Sequence, residues 1–505
     1  MAAESKEPDA SEDTLTVQLG EGASDGEDRV DPNVVDWDGD GDPENPYNWP
    51  AWRTRMNLIL ISSMTFLTPL ASSIFAPGVP QLMREFGSSS LEIAAFVVSV
   101  YVLGFAAGPL VMAPLSELYG RLPVYHACNV GFIAFVVGCA LAPNLNALIV
   151  FRFFSGVFGS CPITIGGGSI ADMVPQERRA TAIAFFAIGP LLGPVVGPIA
   201  GGFLSGAKGW RWTFWLLAIV GGALGLAALV GMSETYPPTL LERRAARLRK
   251  ETGNSQLRSK LEHGLTSSEH FKHSIVRPLK MLVLSPIMII MALYIAITYG
   301  YLYLMFTSIT QVFQEFYGFS TSVVGLAFIG LGVGSLLGVV VYTVTSNKSI
   351  QKKTAEADAE AAATGAKPTP LKPEYRLSSL PLGAILLPAG LFIYGWTVEY
   401  RVHWIVPIIG MGITGVGTII IFMGILAYLI DAFVPYSASA IAANAVVRSV
   451  ASAVLPLAGL RMYERLGVGW GNSLLGFIAV LFAPVAFLLI RYGERLRTRF
   501  ELKNL

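Results

Sequence analysis

Twelve apolar runs, each about 20 residues long, dominate this sequence; a run of that length crosses a bilayer as a helix. They fall at 56–76, 93–113, 123–142, 147–170, 181–203, 211–231, 281–306, 321–343, 379–397, 404–428, 438–460 and 471–490. Composition agrees with that reading. Only 14% of the 505 residues are charged, where a soluble protein carries about a quarter. The mean hydropathy is +0.55. The expectation is an all-α membrane protein.

Two hydrophilic insertions, 232–280 and 346–376, interrupt the runs, and the first separates two sets of six. The chain therefore divides into an N-terminal six-helix bundle (51–232), a basic linker (233–280), a C-terminal six-helix bundle (281–490) and a tail (491–505). Lys and Arg set the orientation. The linker holds ten of them: Arg243, Arg244, Arg247, Arg249, Lys250, Arg258, Lys260, Lys272, Arg277 and Lys280. The tail and the second insertion are basic too, whereas the connections on the other side, such as APNLNA at 142–147, carry few bases. Twelve spans put both termini and both insertions in the cytoplasm. Within the linker, TLLERRAARLRK (239–250) reads as a helix with Leu241, Ala245 and Leu248 on one face. It suits either an anionic membrane surface or a solvated linker. Residues 1–50 hold fifteen acids and two bases, a composition that predicts disorder and a segment 1–40 dispensable for transport.

The two halves echo each other weakly. IADMVPQERRATAIA joins spans four and five, and LIDAFVPYSASAIAA joins spans ten and eleven. Asp172 leads to Pro175 as Asp431 leads to Pro435, the internal symmetry expected of two related bundles.

Span five contains FAIGPLLGPVVGPIAGGF (186–203). Gly189, Gly193, Gly197 and Gly201 recur every four residues, with Pro190, Pro194 and Pro198 after three of them. The prolines leave the carbonyls of Phe186, Pro190 and Pro194 without helical donors, which in lipid demands satisfaction by protein or water. The glycines form a stripe where another backbone can approach closely. The expectation is a bent, tightly packed helix.

Arg152 lies inside an otherwise apolar run. A charge there is costly and marks function by default; the other reading is an arginine that bonds backbone carbonyls of bent helices. Cys128, Cys139 and Cys161 fall in apolar runs and read as small hydrophobes. No His/Cys ligand spacing, Walker sequence or nucleophile elbow occurs, which argues against a metal centre, a cofactor, a nucleic-acid partner or an enzyme.

Several segments together resemble the major facilitator superfamily, in particular the fungal branch of its twelve-span drug:proton antiporters. GPLLGPVVGPIAGG (189–202) resembles the antiporter motif, APLSELYGR (113–121) the signature between spans two and three, and RFFSGVFGS (152–160) the span-four motif. NPYNWPAWR (45–53), SETYPPTLLERRA (233–245) and SASAIAANAVVRSVASAVLPL (437–457) are similar to fungal members. The signature is thinned: Glu117 stands where Asp is common, and Leu118 and Leu122 where bases are common. The resemblance implies two pseudo-symmetric six-helix bundles, a proton gradient as energy source and proton coupling through Arg152. It implies that Arg121 pairs with Asp172 and that Glu117 meets the N-terminus of span eleven, capped by Ser437, in a conformational charge network that includes Asp431. Tyr294, Tyr299, Gln311, Phe422 and Asn444 are candidates for contact with a small-molecule substrate; Arg448 either lines the cavity or snorkels outward. The expected protein is a monomeric plasma-membrane antiporter that exports small, mostly hydrophobic compounds: toxins, fungicides or secondary metabolites. A defined solute such as a polyamine is the rival cargo, disfavoured because no carboxylate lies deep in a span.

Overall fold

The computed structural model describes residues 33–39, 41–261, 267–364, 372–433 and 437–499. The N-terminal half comprises α1 (Ala51–Ser73), α2 (Leu91–Leu118), α3 (Arg121–Ala140), α4 (Leu145–Met173), α5 (Gln176–Lys208) and α6 (Arg211–Gly231). The linker carries α7 (Pro237–Thr252) and α8 (Ser267–Leu284). The C-terminal half comprises α9 (Pro286–Tyr317), α10 (Ile329–Thr364), α11 (Leu380–Glu399), α12 (Ile405–Ala432) and α13 (Ser437–Arg499).

Among the described residues, eleven helical stretches are long and apolar enough to cross a membrane, and the last of them counts twice. α13 has 63 residues, about 95 Å at 1.5 Å per residue and so far more than one bilayer. It breaks at Gly467, where φ is 77°, a left-handed value that glycine adopts without a steric penalty. Twelve crossings result. Their outer faces are apolar: Leu226, Val230 and Leu481 are 68%, 92% and 73% exposed, where lipid acyl chains would cover them. Local signals set several helix starts. Ser90 accepts a hydrogen bond from Ile93 N and opens α2, and Asn144 does the same with Ala147 N for α4.

The ends of the bundle differ. The linker, the tail and the α2–α3 turn share one end, the linker end; the α1–α2 and α9–α10 connections lie at the far end. Two helix pairs join the halves, α2 with α13 and α5 with α10.

Three expectations need correction. Residues 33–50, of which all but position 40 are described, are not disordered. Val34 and Val35 (β1) pair in parallel with Arg258 and Ser259 (β2). Arg244 of α7 pairs with Asp38 and, at 2.5 Å, with Asp42; Arg247 meets Glu44 at 3.0 Å, and Lys260 meets Asp36 at 2.5 Å. The acids that argue against a fold in isolation meet the linker's bases here. Residues 1–32 lie outside the described ones. Second, the insertion 346–376 begins as helix, because α10 continues unbroken to Thr364. Third, α13 carries helix into the expected tail as far as Arg499. α7 forms as expected and buries Leu241 and Ala245, yet several of its bases face the N-terminal segment.

Candidate functional site

A cavity of about 290 Å³ lies between the halves. The N-terminal half contributes Val102, Phe105, Phe186, Pro190 and Pro194; the C-terminal half contributes Tyr299, Tyr303, Phe306, Phe422 and Arg448. Tyr299, Phe422 and Arg448 thus stand where the sequence suggested. The other three candidates lie elsewhere. Tyr294 is buried against Phe482 inside the C-terminal half. Gln311 donates to Glu315 at 2.7 Å and lines a separate far-end pocket of about 320 Å³. Asn444 is buried and does not line the cavity. Helical phase turns Tyr294 away: it lies five residues before Tyr299, about 140° around the same helix, and Gln311 lies about three turns further toward the far end.

α5 faces two ways. Its glycines press on α1. An added Cβ at Gly193 would sit 2.8 Å from Leu70 N, at Gly197 2.3 Å from Ser73 Oγ, and at Gly201 1.7 Å from Ile74 O; at Gly189 the nearest atom would be Phe66 N at 2.9 Å. Pro190 and Pro194 face the cavity. The carbonyl of Pro198 comes so near the turn Gly325–Phe328 that precedes α10 that a Cβ on Gly325 would lie 2.2 Å from it.

Arg152 is buried among α1, α2 and α4. Its Nε donates to Val97 O at 3.1 Å, Nη1 to Ala71 O at 2.9 Å, and Nη2 to Ser72 O and Val98 O at 3.2 and 3.1 Å. Tyr101, Phe75 and Phe214 surround it, with ring centres 5.0, 5.4 and 5.7 Å away. Among the described residues no carboxylate reaches it. Five donors on a planar fork suit this cage of carbonyls, so the geometry is that of the second reading, an anchor on main-chain oxygens. One link leads to the cavity: the Ser72 hydroxyl lies 3.3 Å from that of Tyr303.

At the linker end Arg121 reaches Asp172 at 3.2 Å and Ser116 Oγ at 2.6 Å, with its guanidinium 4.5 Å from the Tyr236 ring centre. Glu234 caps α3, accepting from Arg121 N at 2.9 Å and Leu122 N at 3.1 Å, a placement that also favours its charge at a helix N-terminus. Gly120 lets it in: φ is 94°, and a Cβ would lie 2.5 Å from Glu234 Oε2. Tyr236 titrates above its ordinary range, through burial and then the nearby charge of Glu117, which locates Glu117 beside this cluster. The C-terminal half repeats the plan. Arg376 pairs with Asp431 at 2.8 Å, and Arg497 with the buried Glu374 at 3.2 Å.

The far end is drawn together. Glu92 of α2 pairs with Arg461 of α13, and Ser99 Oγ donates to Ala453 O at 2.9 Å. This antiparallel register, followed to the linker end, runs the last turn of α2, with Glu117, toward the first turn of α13 at Ser437. Ser322 sits close to α5, for a Cβ on Gly206 would lie 2.0 Å from its Oγ.

Sequence reasoning assigned no role to Glu234, Arg376, Glu374 or Tyr303. One signal was available. The offset that aligns Asp172 with Asp431 also brings Arg376 close to Arg121. Glu234 lay within a quoted segment, SETYPP, but a cap reaching from over a hundred residues away leaves no local pattern.

The family model described as Major Facilitator Superfamily matches residues 61–456. The MFS-type transporter tndD of Aspergillus flavipes is 54% identical, over 93% of this chain and 86% of its own length. The efflux pump radE of Floropilus chiversii is 52% identical, over 94% of this chain and 87% of its own. Among solved structures the D-xylose–proton symporter superposes with a TM-score of 0.64 at 17% identity, covering 86% of this chain and 97% of that one, a likeness of fold. Two helical halves around a central cavity, a match across most of the sequence and full-length transporter relatives place the chain in the major facilitator superfamily: it is a membrane transporter, not an enzyme.

Proposed function

We propose that this transporter is a proton-coupled antiporter that exports small, mostly hydrophobic organic compounds, such as toxins, fungicides or the cell's own secondary metabolites. The central cavity carries the reading. Its wall is mainly aromatic and aliphatic, it holds no carboxylate among the described residues, and the proline face of the antiporter-like α5 forms part of it. An acid-free wall weighs against a polyamine. Alternating access would come from the halves rocking about this cavity, with the far-end contacts described above released in the opposite state. A similar relative is named an efflux pump, which supports the outward direction. A proton crossing about 100 mV releases about 2.3 kcal/mol, sufficient for a roughly fifty-fold concentration ratio.

The linker end is proposed to be cytoplasmic on its Lys and Arg content, in the plasma membrane, with the monomer as the working unit. Arg121–Asp172, Glu117 and Arg376–Asp431 would latch the linker end in the alternate state. Arg152 would serve coupling by position. It ties α1 and α2 to α4, and Tyr303 reaches that anchor through Ser72, so the proton itself would ride on Glu92, Asp172 or Asp431.

Reconstituted vesicles provide the test. An imposed pH gradient should drive uphill movement of a neutral lipophilic dye, and collapse of the gradient should stop it. Movement indifferent to the gradient would overturn proton antiport. For orientation, impermeant thiol labelling from outside intact cells should reach a cysteine placed at Asn144 and miss one at Lys260; the reverse pattern would invert the topology.

A further inference from the structure

Two arginines lie deep in the helical bundle, and they are treated differently. Arg152 spends its donors on four carbonyls. Arg448 stands on the wall of the central cavity with its guanidinium 4.7 Å from the Tyr299 ring centre and 5.5 Å from that of Phe422. Among the described residues no carboxylate lies within ion-pair distance of it. The Tyr299 hydroxyl lies within hydrogen-bond reach of the guanidinium, and the aromatic faces attract the cation, but these leave most of a five-donor fork without an in-plane acceptor.

The next turn of the same helix strengthens the case. Ser449 and Ser452 also line the cavity and are 1% and 0% exposed. Neither hydroxyl has a hydrogen-bond partner among the described residues. A serine inside a helix ordinarily turns its hydroxyl back to a carbonyl one turn earlier. Ser335, across the same cavity, does so, donating to Leu331 O at 2.8 Å. Ser452 lies one turn from both Arg448 and Ser449, and all three line the cavity. One fork and two uncommitted hydroxyls therefore converge on a space whose remaining wall is apolar, with Phe105, Phe186, Phe306 and Phe328 around it. A positive, donor-rich spot in a greasy cavity matches an anionic oxygen carried on an apolar body.

We propose that the cargo is an amphipathic organic acid: its carboxylate, or an equally acidic enolate or phenolate, pairs with Arg448 and accepts from Ser449 and Ser452, while its hydrocarbon or aromatic part lies on the phenylalanine wall. This rests on the transporter reading above and narrows its cargo class. It adds an acidic group to the mostly hydrophobic cargo expected above, because the deciding charge belongs to the protein. The missing carboxylates in the wall are what such an acid requires, since it brings its own.

The test compares two probes on the purified full-length protein in lipid nanodiscs: dansylaminoundecanoic acid and its methyl ester, which share an apolar body and differ in the charge. A charge-assisted contact predicts that the acid binds at least about tenfold more tightly than the ester. Arg448→Gln should erase that preference and leave the affinity for the ester within about twofold. Arg448→Lys keeps the charge without the fork and should retain part of it. Ser449→Ala with Ser452→Ala should reduce the preference by roughly threefold to tenfold. Equal binding of acid and ester by the native protein, or a preference that survives Arg448→Gln, overturns the acid proposal and leaves the transporter reading intact. Failure of native, folded protein to bind either probe, with no gradient-driven dye movement in vesicles, overturns both.

Discussion

In the N-terminal half, Arg121 opens α3 and reaches Asp172 at the end of α4. In the C-terminal half, Arg376 precedes α11 and reaches Asp431 at the end of α12. The same joint is built twice, and it is braced differently. The Arg121 and Asp172 side chains are 12% and 14% exposed, against 33% and 32% for Arg376 and Asp431. The first joint is covered by the segment that follows α6, through Glu234, Thr235 and Tyr236. The second is flanked by the end of α13, through Arg497 on Glu374. The start of the linker, Glu234 to Tyr236, thus braces only the first joint, and residues 33–50 fasten α7 further, while α8 at the linker's end packs on both α13 and α2. The middle of the membrane differs as well. The N-terminal half holds an arginine satisfied by its own backbone. The C-terminal half turns one toward the cavity.

The largest effect is expected at the first of those arginines. Arg152→Ala strips donors from four buried carbonyls at once. Gradient-driven uphill transport in vesicles should fall by at least about hundredfold, since each buried hydrogen bond to a charged donor is worth roughly 1.5–3 kcal/mol. Arg152→Lys should keep partial activity, having the charge without the fork. A native rate from Arg152→Ala would make the residue dispensable and confine the functional charge to the C-terminal half.

The glycine seams come next. Gly197→Leu forces α5 off α1, an overpacking that costs about 1–3 kcal/mol. Because α5 also forms the cavity wall, export should fall more than protein abundance. Gly334 in α10 is as crowded, with a Cβ only 2.0 Å from Gly412 O, but its contact lies between α10 and α12 inside one half. Gly334→Leu should lower abundance and export together. Normal efflux by Gly197→Leu would refute the packed seam.

A smaller contrast separates the two joints. Shielded pairs lose more than exposed ones when one partner is neutralised. Asp172→Asn should slow transport by roughly fivefold to tenfold and Asp431→Asn by about twofold. Equal losses would mean that the difference in bracing has no functional weight.

The smallest effect concerns the N-terminal segment. The Asp38 amide, aided by the Glu44 amide and Arg244 and opposed by burial, holds Asp42 below the ordinary carboxylate value of 3.8. A depressed folded-state value means that this contribution is complete above pH 3.8 and is lost as pH falls through the lower folded value. Protection of the Asp38 amide, which donates to Asp42 at 2.8 Å, against hydrogen exchange should therefore hold steady across neutral pH and fall only in strong acid. Asp42→Asn should produce that loosening at neutral pH with little change in transport. Removing residues 1–32 should alter neither.

The fold was legible because lipid is a strict solvent. An apolar run of the right length has few alternatives to a helix, and the repeat of Asp172 at Asp431 already suggested two related halves. The glycine stripe of α5 was legible as a packing seam, but the prolines read as part of that same seam, whereas Pro190 and Pro194 face the cavity. The cavity was only partly legible. Tyr299 and Phe422 are placed by helix rotation relative to neighbours, which a single sequence does not encode, and the same uncertainty misplaced Tyr294, Gln311 and Asn444. Residues 33–50 were misread because composition treats a segment alone, whereas their acids are answered by Arg244, Arg247 and Lys260 some 200 positions later.

The three prolines of α5 have a mechanical consequence. A helix resists bending chiefly through its ladder of hydrogen bonds, and each proline has already removed a rung. Pro190 and Pro194 remove theirs on the cavity side, while the glycine side stays clamped to α1. The helix is then a rod scored along one edge. Load applied at its far end, where Pro198 and Gly206 meet Gly325 and Ser322, should flex it at the scores without tearing it from the N-terminal half. Cargo pressing on the scored edge would feel that flexure directly.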